Sequence, residues 1–331
     1  MTFSRRTLSG REVNPVGLGC MSLSWAYGTP PSEADGARVL ERALELGYDN
    51  FDTARIYGLG HNETLIGKVL SPYRDKFLLS SKTGIIVDGS KRRVDCTPET
   101  IRKAVETSLE LLQTDHIDLY YLHRRDFNVP IEESIGAMAD LVKEGKIGSI
   151  GLSEMSAETL RRAAAVHPIA AMQTEYSLMT RNAEIAVLEA CRETGTTFVA
   201  FSPVGRGLLA NPALDPEAMT AGDIRLAMPR FQDDNFETNA GLARQFGAIA
   251  AREGVAPAQL SLAWVLSRGD HVVAIPGTSS IAHLEENIAR WDWEPSAELV
   301  AELGALINQQ TVAGHRYNAV LQRTIDTEEF A

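Results

Sequence analysis

Short apolar runs alternate along this chain with longer segments whose apolar residues recur every three or four positions. The first 12 residues read as a hairpin turning at Ser9-Gly10. Val16 to Met21 follows as a small-residue strand, and stretch 24–31 is too rich in Gly and Pro to be regular. Ser32 caps a helix to Leu46, with Val39, Leu40, Ala43 and Leu44 at helical spacing and Gly47 behind it. The unit then recurs: a strand at Phe51 and a helix from Glu63 to Leu70, a strand at Leu78 and a helix from Thr97 to Leu112. Thr97, Pro98 and Glu99 supply an N-cap, a first-turn proline and an early acid. Strands are expected next at Leu119, Ile150, Met172, Phe198 and Val272–Ile275. Helices are expected at 132–144, 156–166 and 184–194, and again near Glu285 and Leu299.

Eight strands alternating with helices predict an α/β fold, a (β/α)8 TIM barrel with an N-terminal β-hairpin and extra C-terminal helices. A doubly wound sheet is the alternative. It would open on a glycine-rich turn leading straight into a helix, and Gly17-x-Gly19 lacks both the third glycine and the helix. No repeat, low-complexity tract or linker divides the chain, so residues 1–331 read as a single domain. The interval from Gly205 to about Phe236, mixing Gly, Pro, Asn and Asp, reads as a long rim loop.

Composition narrows the function. The 331 residues carry 44 acidic and 32 basic side chains, a formal net charge of -12, which argues against nucleic acid or an anionic membrane as partner. Cys20, Cys96 and Cys191 are odd in number and far apart, as expected of reduced thiols in a cytoplasmic protein. No apolar run approaches the length of a membrane span or follows Arg5 and Arg6 as a signal peptide would.

Three of the expected strands end on ionisable groups: Asp52 after Phe51, Lys82 after Leu78-Leu79-Ser80-Ser81, and His123 after Tyr120-Tyr121-Leu122. Tyr57 follows Asp52 in a loop. In a parallel barrel those ends share the rim where active sites lie. A lysine beside a tyrosine favours its phenolate, and an aspartate beside the lysine keeps the ammonium charged. Tyr57, Lys82 and Asp52 therefore read as a tuned general acid, with His123 orienting the same oxygen. Such a set suits carbonyl reduction, with the hydride supplied by a cofactor. Singly, each residue has an ordinary role as a cap, a solvated charge or a core histidine. It is their placement together that carries the reading.

These residues resemble the aldo-keto reductase family, and the resemblance runs over nearly the whole chain. Phe51-Asp52-Thr53-Ala54-Arg55-Ile56-Tyr57-Gly58 is similar to the family's catalytic signature, as are the lysine of Ser80-Ser81-Lys82 and the histidine of Tyr120-Tyr121-Leu122-His123-Arg124. It is nearest the bacterial and plant branch of pyridoxal reductase-like and broad-range aldehyde reductases. The resemblance implies a cytoplasmic NADP(H)-dependent oxidoreductase that reduces aldehydes or ketones, with Tyr57 as proton donor. It leaves NAD(H) as a second cofactor and leaves oligomeric state and physiological direction open. It also implies cofactor contacts. Ser153, Glu154 and Gln173 would hold the nicotinamide carboxamide, and Phe201 would stack on its ring. Ser202, Pro203, Gly205, Arg206, Gly207 and Leu208 would lie along the pyrophosphate. Pro276, Gly277, Thr278, Ser279, Ser280 and His283 would receive the phosphate and adenosine, and Glu286 and Asn287 the adenine. Many relatives have Asn where Glu154 stands, and Lys or Arg near Ser279 and Ser280.

Other side chains call for separate roles. Trp25 and Tyr27 are expected as substrate-pocket walls, and Arg92 and Arg93 as a solvated loop. Met138, Met155, Met172 and Met179 are expected in or near the core. His61, Glu63, His123 and Asp126 lack metal-ligand spacing, so no metal is expected and a metal-dependent hydrolase ranks third. A nucleotide-sensing regulatory subunit of the same fold ranks second, because it too would bind the cofactor. The four catalytic residues favour the enzyme, with a small carbonyl compound as its partner.

Overall fold

The structure, a computed structural model, describes residues 3–89, 91–211 and 213–330. Strands β1 (Arg6–Leu8) and β2 (Arg11–Val13) pair antiparallel across Ser9 and Gly10, whose φ angles are 52° and 72°. Positive φ at both turn positions is what a two-residue hairpin favours. The barrel strands begin with β3 (Leu18–Gly19), β4 (Asn50–Asp52) and β5 (Leu78–Thr83). After β5 a second hairpin stands outside the barrel, β6 (Ile85–Asp88) with β7 (Lys91–Val94). The barrel resumes with β8 (Leu119–Leu122), β9 (Ile150–Ser153), β10 (Ile169–Glu175), β11 (Thr197–Phe201) and β12 (Val272–Ile275).

All eight barrel strands are parallel and run in the order β3-β4-β5-β8-β9-β10-β11-β12. Bridges from Val16 to Ala274 and from Gly19 to Gly277 join the last strand to the first and close the ring. Close backbone approach is required there: a Cβ at Gly19 would lie 2.8 Å from the Ile275 carbonyl oxygen. The N-terminal hairpin plugs one end, since Leu8 and Val13 pack with Leu78, Leu119, Tyr121 and Val273 inside the barrel.

The surrounding helices are α1 (Glu33–Glu45), α2 (His61–Leu70), α3 (Pro98–Leu112), α4 (Ile131–Lys143), α5 (Ala157–Ala164), α6 (Val187–Thr194), α7 (Asp233–Glu253) and α8 (Pro257–Leu266). The C-terminal set is α9 (Ile281–Ile288), α10 (Ala297–Leu306) and α11 (Ala319–Gln322). Ser32 and Thr97 cap α1 and α3 through their hydroxyls, as expected, and Ser156, read as the first residue of its helix, caps α5 in the same way. Met138, Met155, Met172 and Met179 are core residues, and the three cysteines are free and buried. Among the described residues no helix is long and apolar enough to cross a membrane.

Some expectations change in detail. The first strand is shorter than Val16–Met21, because Met21–Leu23 turns into a 3₁₀ helix. The stretch with Arg92 and Arg93 is strand β7, not a loop. The interval after β11 carries 3₁₀ turns at Gly205–Gly207, Pro216–Ala218, Ile224–Ala227 and Pro229–Phe231, and α7 starts at Asp233.

Helices α2 and α3 cross closely at Gly67. A Cβ there would stand 2.3 Å from the Leu111 carbonyl oxygen and 2.8 Å from the Leu112 carbonyl carbon, both backbone atoms that side-chain rotation cannot clear. Overpacking of this kind costs about 1–3 kcal/mol. Gly67→Ala is expected to lower the urea midpoint accordingly, even though alanine is the better helix former. An unchanged or raised midpoint would contradict the crossing.

Candidate active site

Lys82 is the hub of the site. It lies at the end of β5 with no solvent exposure, and its ammonium group donates to the Asp52 carboxylate, to the Thr53 carbonyl (2.7 Å) and to the Tyr57 hydroxyl (3.4 Å). A lysine ammonium has three protons, so each has a partner. Sheet register makes this possible. Asp52 on β4 stands opposite Ser80 on β5, so Lys82, two residues on and on the same face, reaches back to it. Asp52 is held from its other side by Gln173 of β10, whose amide nitrogen donates to the second carboxylate oxygen at 2.8 Å. Both oxygens accept, as in an ionised carboxylate. His123 follows β8, and its ring meets that of Tyr57 edge to face, with centroids 5.8 Å apart and planes at 82°.

Burial and neighbouring charge set the protonation states. Burial opposes the Lys82 charge, but Asp52 and Tyr57 outweigh it and raise its pKa above the ordinary lysine value. Burial pushes Asp52 upward against the pull of Lys82 and Gln173. Tyr57 is also raised: burial dominates, Lys82 opposes it, and Asp52 adds to it. Lys82 thus acts in the direction the sequence suggests, yet desolvation is larger and the phenol keeps its proton. His123 is pushed well below its ordinary value by burial, then by Arg124, Lys82 and Arg92, so its ring is neutral. A neutral imidazole and a protonated phenol side by side, over a fixed positive charge, can bind a carbonyl oxygen and deliver a proton to it.

The remaining candidates occupy the same rim. Ser153 ends β9 and Phe201 ends β11. Ser202, Gly205, Arg206 and Gly207 all have positive φ (50°, 58°, 56° and 98°), so the loop after β11 is a tight coil beginning at the strand end. Pro203 and Pro276 accept backbone-anchoring bonds from Ser261 (2.7 Å) and from the Gly19 amide (3.1 Å), and Leu208 is buried. Gly277 faces Gly19 across the barrel closure. Ser280 caps α9, accepting from the His283 amide at 3.4 Å, and the Thr278 hydroxyl accepts from the Ser280 amide at 3.0 Å. Ser279 and His283 are exposed beside that helix start, and Glu286 and Asn287 lie in its last turn.

Two candidates have side chains committed to the protein. Glu154, with φ of 56° and no exposure, accepts two bonds from Arg316 (3.0 and 2.6 Å) and one from the Glu175 amide (2.8 Å). Arg206 donates to Glu175 at 2.5 Å and to the hydroxyls of Tyr27 (3.2 Å) and Tyr317 (3.1 Å). Glu154, Glu175, Arg206 and Arg316 therefore form one buried cluster joining β9, β10, the loop after β11 and the C-terminal segment. Tyr27 sits beneath that loop, with Arg225 5.1 Å from its ring, whereas Trp25 packs against the Ala54–Ile56–Tyr57 group.

His61 and Glu63 open α2, and Glu63 accepts from the Ser81 hydroxyl at 2.6 Å deep behind β5. Among the described residues no three His, Cys, Asp or Glu side chains gather as metal ligands. The sequence signalled neither the Gln173–Asp52 bond nor the roles of Glu175, Arg316 and Tyr317. Only the strand-end position of Glu175 hinted at one.

Comparison with known proteins follows the same lines. A model described as the aldo/keto reductase family matches residues 15–308. "Probable aldo-keto reductase 1" of Glycine max is 42% identical over 310 residues, 93% of this chain and 89% of that protein. The glycerol dehydrogenase AKR11B4 of Gluconobacter oxydans superposes with a TM-score of 0.83 at 26% identity, covering 99% and 97% of the two chains. An aldo/keto reductase of Klebsiella pneumoniae, solved with NADP and acetate, gives 0.72 at 27% identity over 95% and 99%.

The buried cluster should show in acid stability. Burial would raise Glu175, but Arg206 and Arg316 outweigh it and hold the carboxyl below its ordinary value. Its ionised form stabilises the fold, fully above the ordinary carboxylate value of about 4.3, and that contribution is lost as pH falls through the lower folded value. Below that ordinary value, urea-unfolding free energy should fall less steeply with acidification in Glu175→Gln than in the unchanged protein. Parallel slopes would contradict the assignment.

Proposed function

This chain belongs to the aldo/keto reductase family, and from that premise we propose that it is an NADP(H)-dependent oxidoreductase. It reduces aldehydes or ketones to alcohols and runs in reverse on the alcohols. The observation that carries the reading is the buried Lys82 ammonium bridging Asp52 and the Tyr57 hydroxyl beside a neutral His123. When bound, the nicotinamide supplies the hydride. Lys82 donates to the Tyr57 oxygen, which leaves the phenolic proton free to point at a substrate oxygen. His123 gives that oxygen a second polar contact and fixes its direction. As the proton leaves Tyr57, the fixed ammonium stabilises the phenolate that remains.

The rim fits a dinucleotide. The Ser22 hydroxyl is buried without a protein partner, and a Cβ at Gly277 would lie 3.6 Å from it and 3.0 Å from the Gly19 carbonyl oxygen. That side of the rim is thus a backbone-lined cradle that side chains leave open. Ser153, Gln173 and Phe201 would take the nicotinamide, and the coil from Ser202 to Leu208 the pyrophosphate. The segment Pro276 to Ser280, with His283, Glu286 and Asn287, would take the phosphate and adenosine at the start of α9. The Klebsiella pneumoniae relative, solved with NADP, supports this nucleotide.

Two measurements test the proposal. General-acid catalysis contributes about 10²–10⁴-fold, so Tyr57→Phe should lose that much turnover of aldehydes while NADPH still binds with nearly unchanged affinity. Near-normal turnover would remove Tyr57 as donor. At the adenosine end, serines stand where charged side chains would grip a 2′-phosphate, and each missing charge-assisted bond forgoes about 1.5–3 kcal/mol. The kcat/KM ratio should therefore favour NADPH over NADH only modestly, and Ser279→Lys should raise it about tenfold or more. A ratio favouring NADH in the unchanged protein would overturn the NADP assignment and leave the catalytic one standing.

A further inference from the structure

Two cations stand at the mouth of the site, and the reduction described above gives neither a task. Arg92 projects from β7, opposite Val87 in the hairpin register. Its guanidinium carbon lies 4.6 Å from the centre of the Trp25 ring. Trp25 packs with Met21 and Ile85 against the group formed by Ala54, Ile56 and Tyr57, so Arg92 covers a ring of the cluster that holds the proton-donor tyrosine. Arg124 comes from the other side. It follows His123 directly and donates to the His123 carbonyl at 2.7 Å. Among the described residues neither arginine forms an ion pair, whereas the adjacent Arg93 is matched with Asp95 at 2.6 Å. Both charges act on the same space, since each helps to depress the His123 pKa.

The protein as a whole carries a formal charge of -12, so an anionic substrate gains nothing from long-range attraction to it. Two unpaired guanidinium groups beside the reacting centre change that locally. Arginine presents a planar fork that matches carboxylate or phosphate oxygens, and stacking on an indole holds the fork in place. The cluster that Arg92 covers through Trp25, and that holds Tyr57, is apolar and aromatic: Met21, Trp25, Ile56 and Ile85.

We propose that Arg92 and Arg124 form an anion-recognition pair, and that the substrate is a carbonyl compound with an apolar or aromatic body and a terminal carboxylate or phosphate. The carbonyl lies at Tyr57 and His123, the body against Trp25, and the anion between the arginines. This assignment rests on the reductase reading and names the substrate class of the same site.

The test compares three aldehydes of one shape: 4-formylbenzoate, 4-formylphenyl phosphate and the neutral methyl 4-formylbenzoate. Each is assayed with NADPH in the unchanged protein, in Arg92→Met and in Arg124→Met. The quantity read is the kcat/KM of each anion relative to the ester within one protein, so losses common to all substrates cancel. At least one anion should be preferred about tenfold or more, the worth of a hydrogen bond to a charged group, and each substitution should cut that ratio towards one. Whichever anion is preferred identifies the headgroup. An ester used as well as both anions, or a ratio that both substitutions leave unchanged, overturns the proposal. Benzoate and phenyl phosphate titrated calorimetrically into the protein–NADPH complex, with benzamide as control, separate the two readings. Anion binding lost in Arg92→Met without turnover of any aldehyde sinks the reductase reading and sustains the anion site. No selective anion binding sinks the site.

Discussion

The ion pair between Lys82 and Asp52 is the interaction on which the mouth of this barrel depends. An ammonium with no solvent exposure would be costly unless paired, and here it is satisfied by Asp52, the Thr53 carbonyl and Tyr57. The pair exists because β4 and β5 are neighbours in a parallel sheet whose register sets Asp52 opposite Ser80. Gln173, reaching in from β10, restrains the carboxylate from the far side of the barrel. Three strands thus converge on one carboxylate. Breaking a buried pair by removing one partner costs about 3–5 kcal/mol, so the arrangement that poises Tyr57 is also a structural commitment. Under the proposed function, chemistry and stability share the same atoms.

A second buried set of charges holds the neighbouring half of the rim. Glu154 and Glu175 at the ends of β9 and β10 receive Arg316 and Arg206. Arg206 belongs to the coil after β11, and Arg316 to the segment leading into α11. Beyond α11 the chain returns, with the Asp326 amide donating to the Glu154 carbonyl at 3.0 Å and its carboxylate accepting from Ser156 and Thr159 at the start of α5. The C-terminal segment is therefore fastened to the strands that carry Ser153 and Gln173. The loop after β11 is fastened to it through Arg206 and to the first rim loop by the bond from the Ile224 amide to the Ala26 carbonyl (3.0 Å). A cofactor lying across this rim would be bordered by segments that the charge cluster keeps in fixed relation.

Much of this was legible in the residues. Capping signals such as Ser32 and Thr97-Pro98-Glu99 act locally, so the helix starts they predict are the ones found. The convergence of Asp52, Lys82 and His123 followed from strand ends sharing a rim. Three things were not legible. Hairpin β6–β7 lies outside the barrel, and its short strands alternate too weakly to stand out from a loop. The Gln173–Asp52 bond joins residues 121 apart in sequence across the barrel interior, and no local pattern encodes that distance. The direction of the Tyr57 shift depended on magnitude: the lysine charge was readable, but the depth of burial that outweighs it belongs to the assembled fold. Similarly, Glu154 and Arg206 look like ligand contacts in isolation, and only the tail shows what their side chains hold.

The proposed chemistry needs a tyrosine that keeps its proton and a histidine that stays neutral, both through burial. The most direct measurement is the pH dependence of kcat/KM for aldehyde reduction by the unchanged protein with saturating NADPH, paired with the same profile for Lys82→Met. Tyr57, raised above its ordinary value of about 10, should give a single alkaline limb at or beyond that pH, and His123 should give no limb between about pH 6 and 9. Removing the ammonium, which holds the phenol down, should move the alkaline limb further up. A limb within that neutral window, or an alkaline limb that stays in place without Lys82, would contradict these roles for Tyr57, His123 and Lys82.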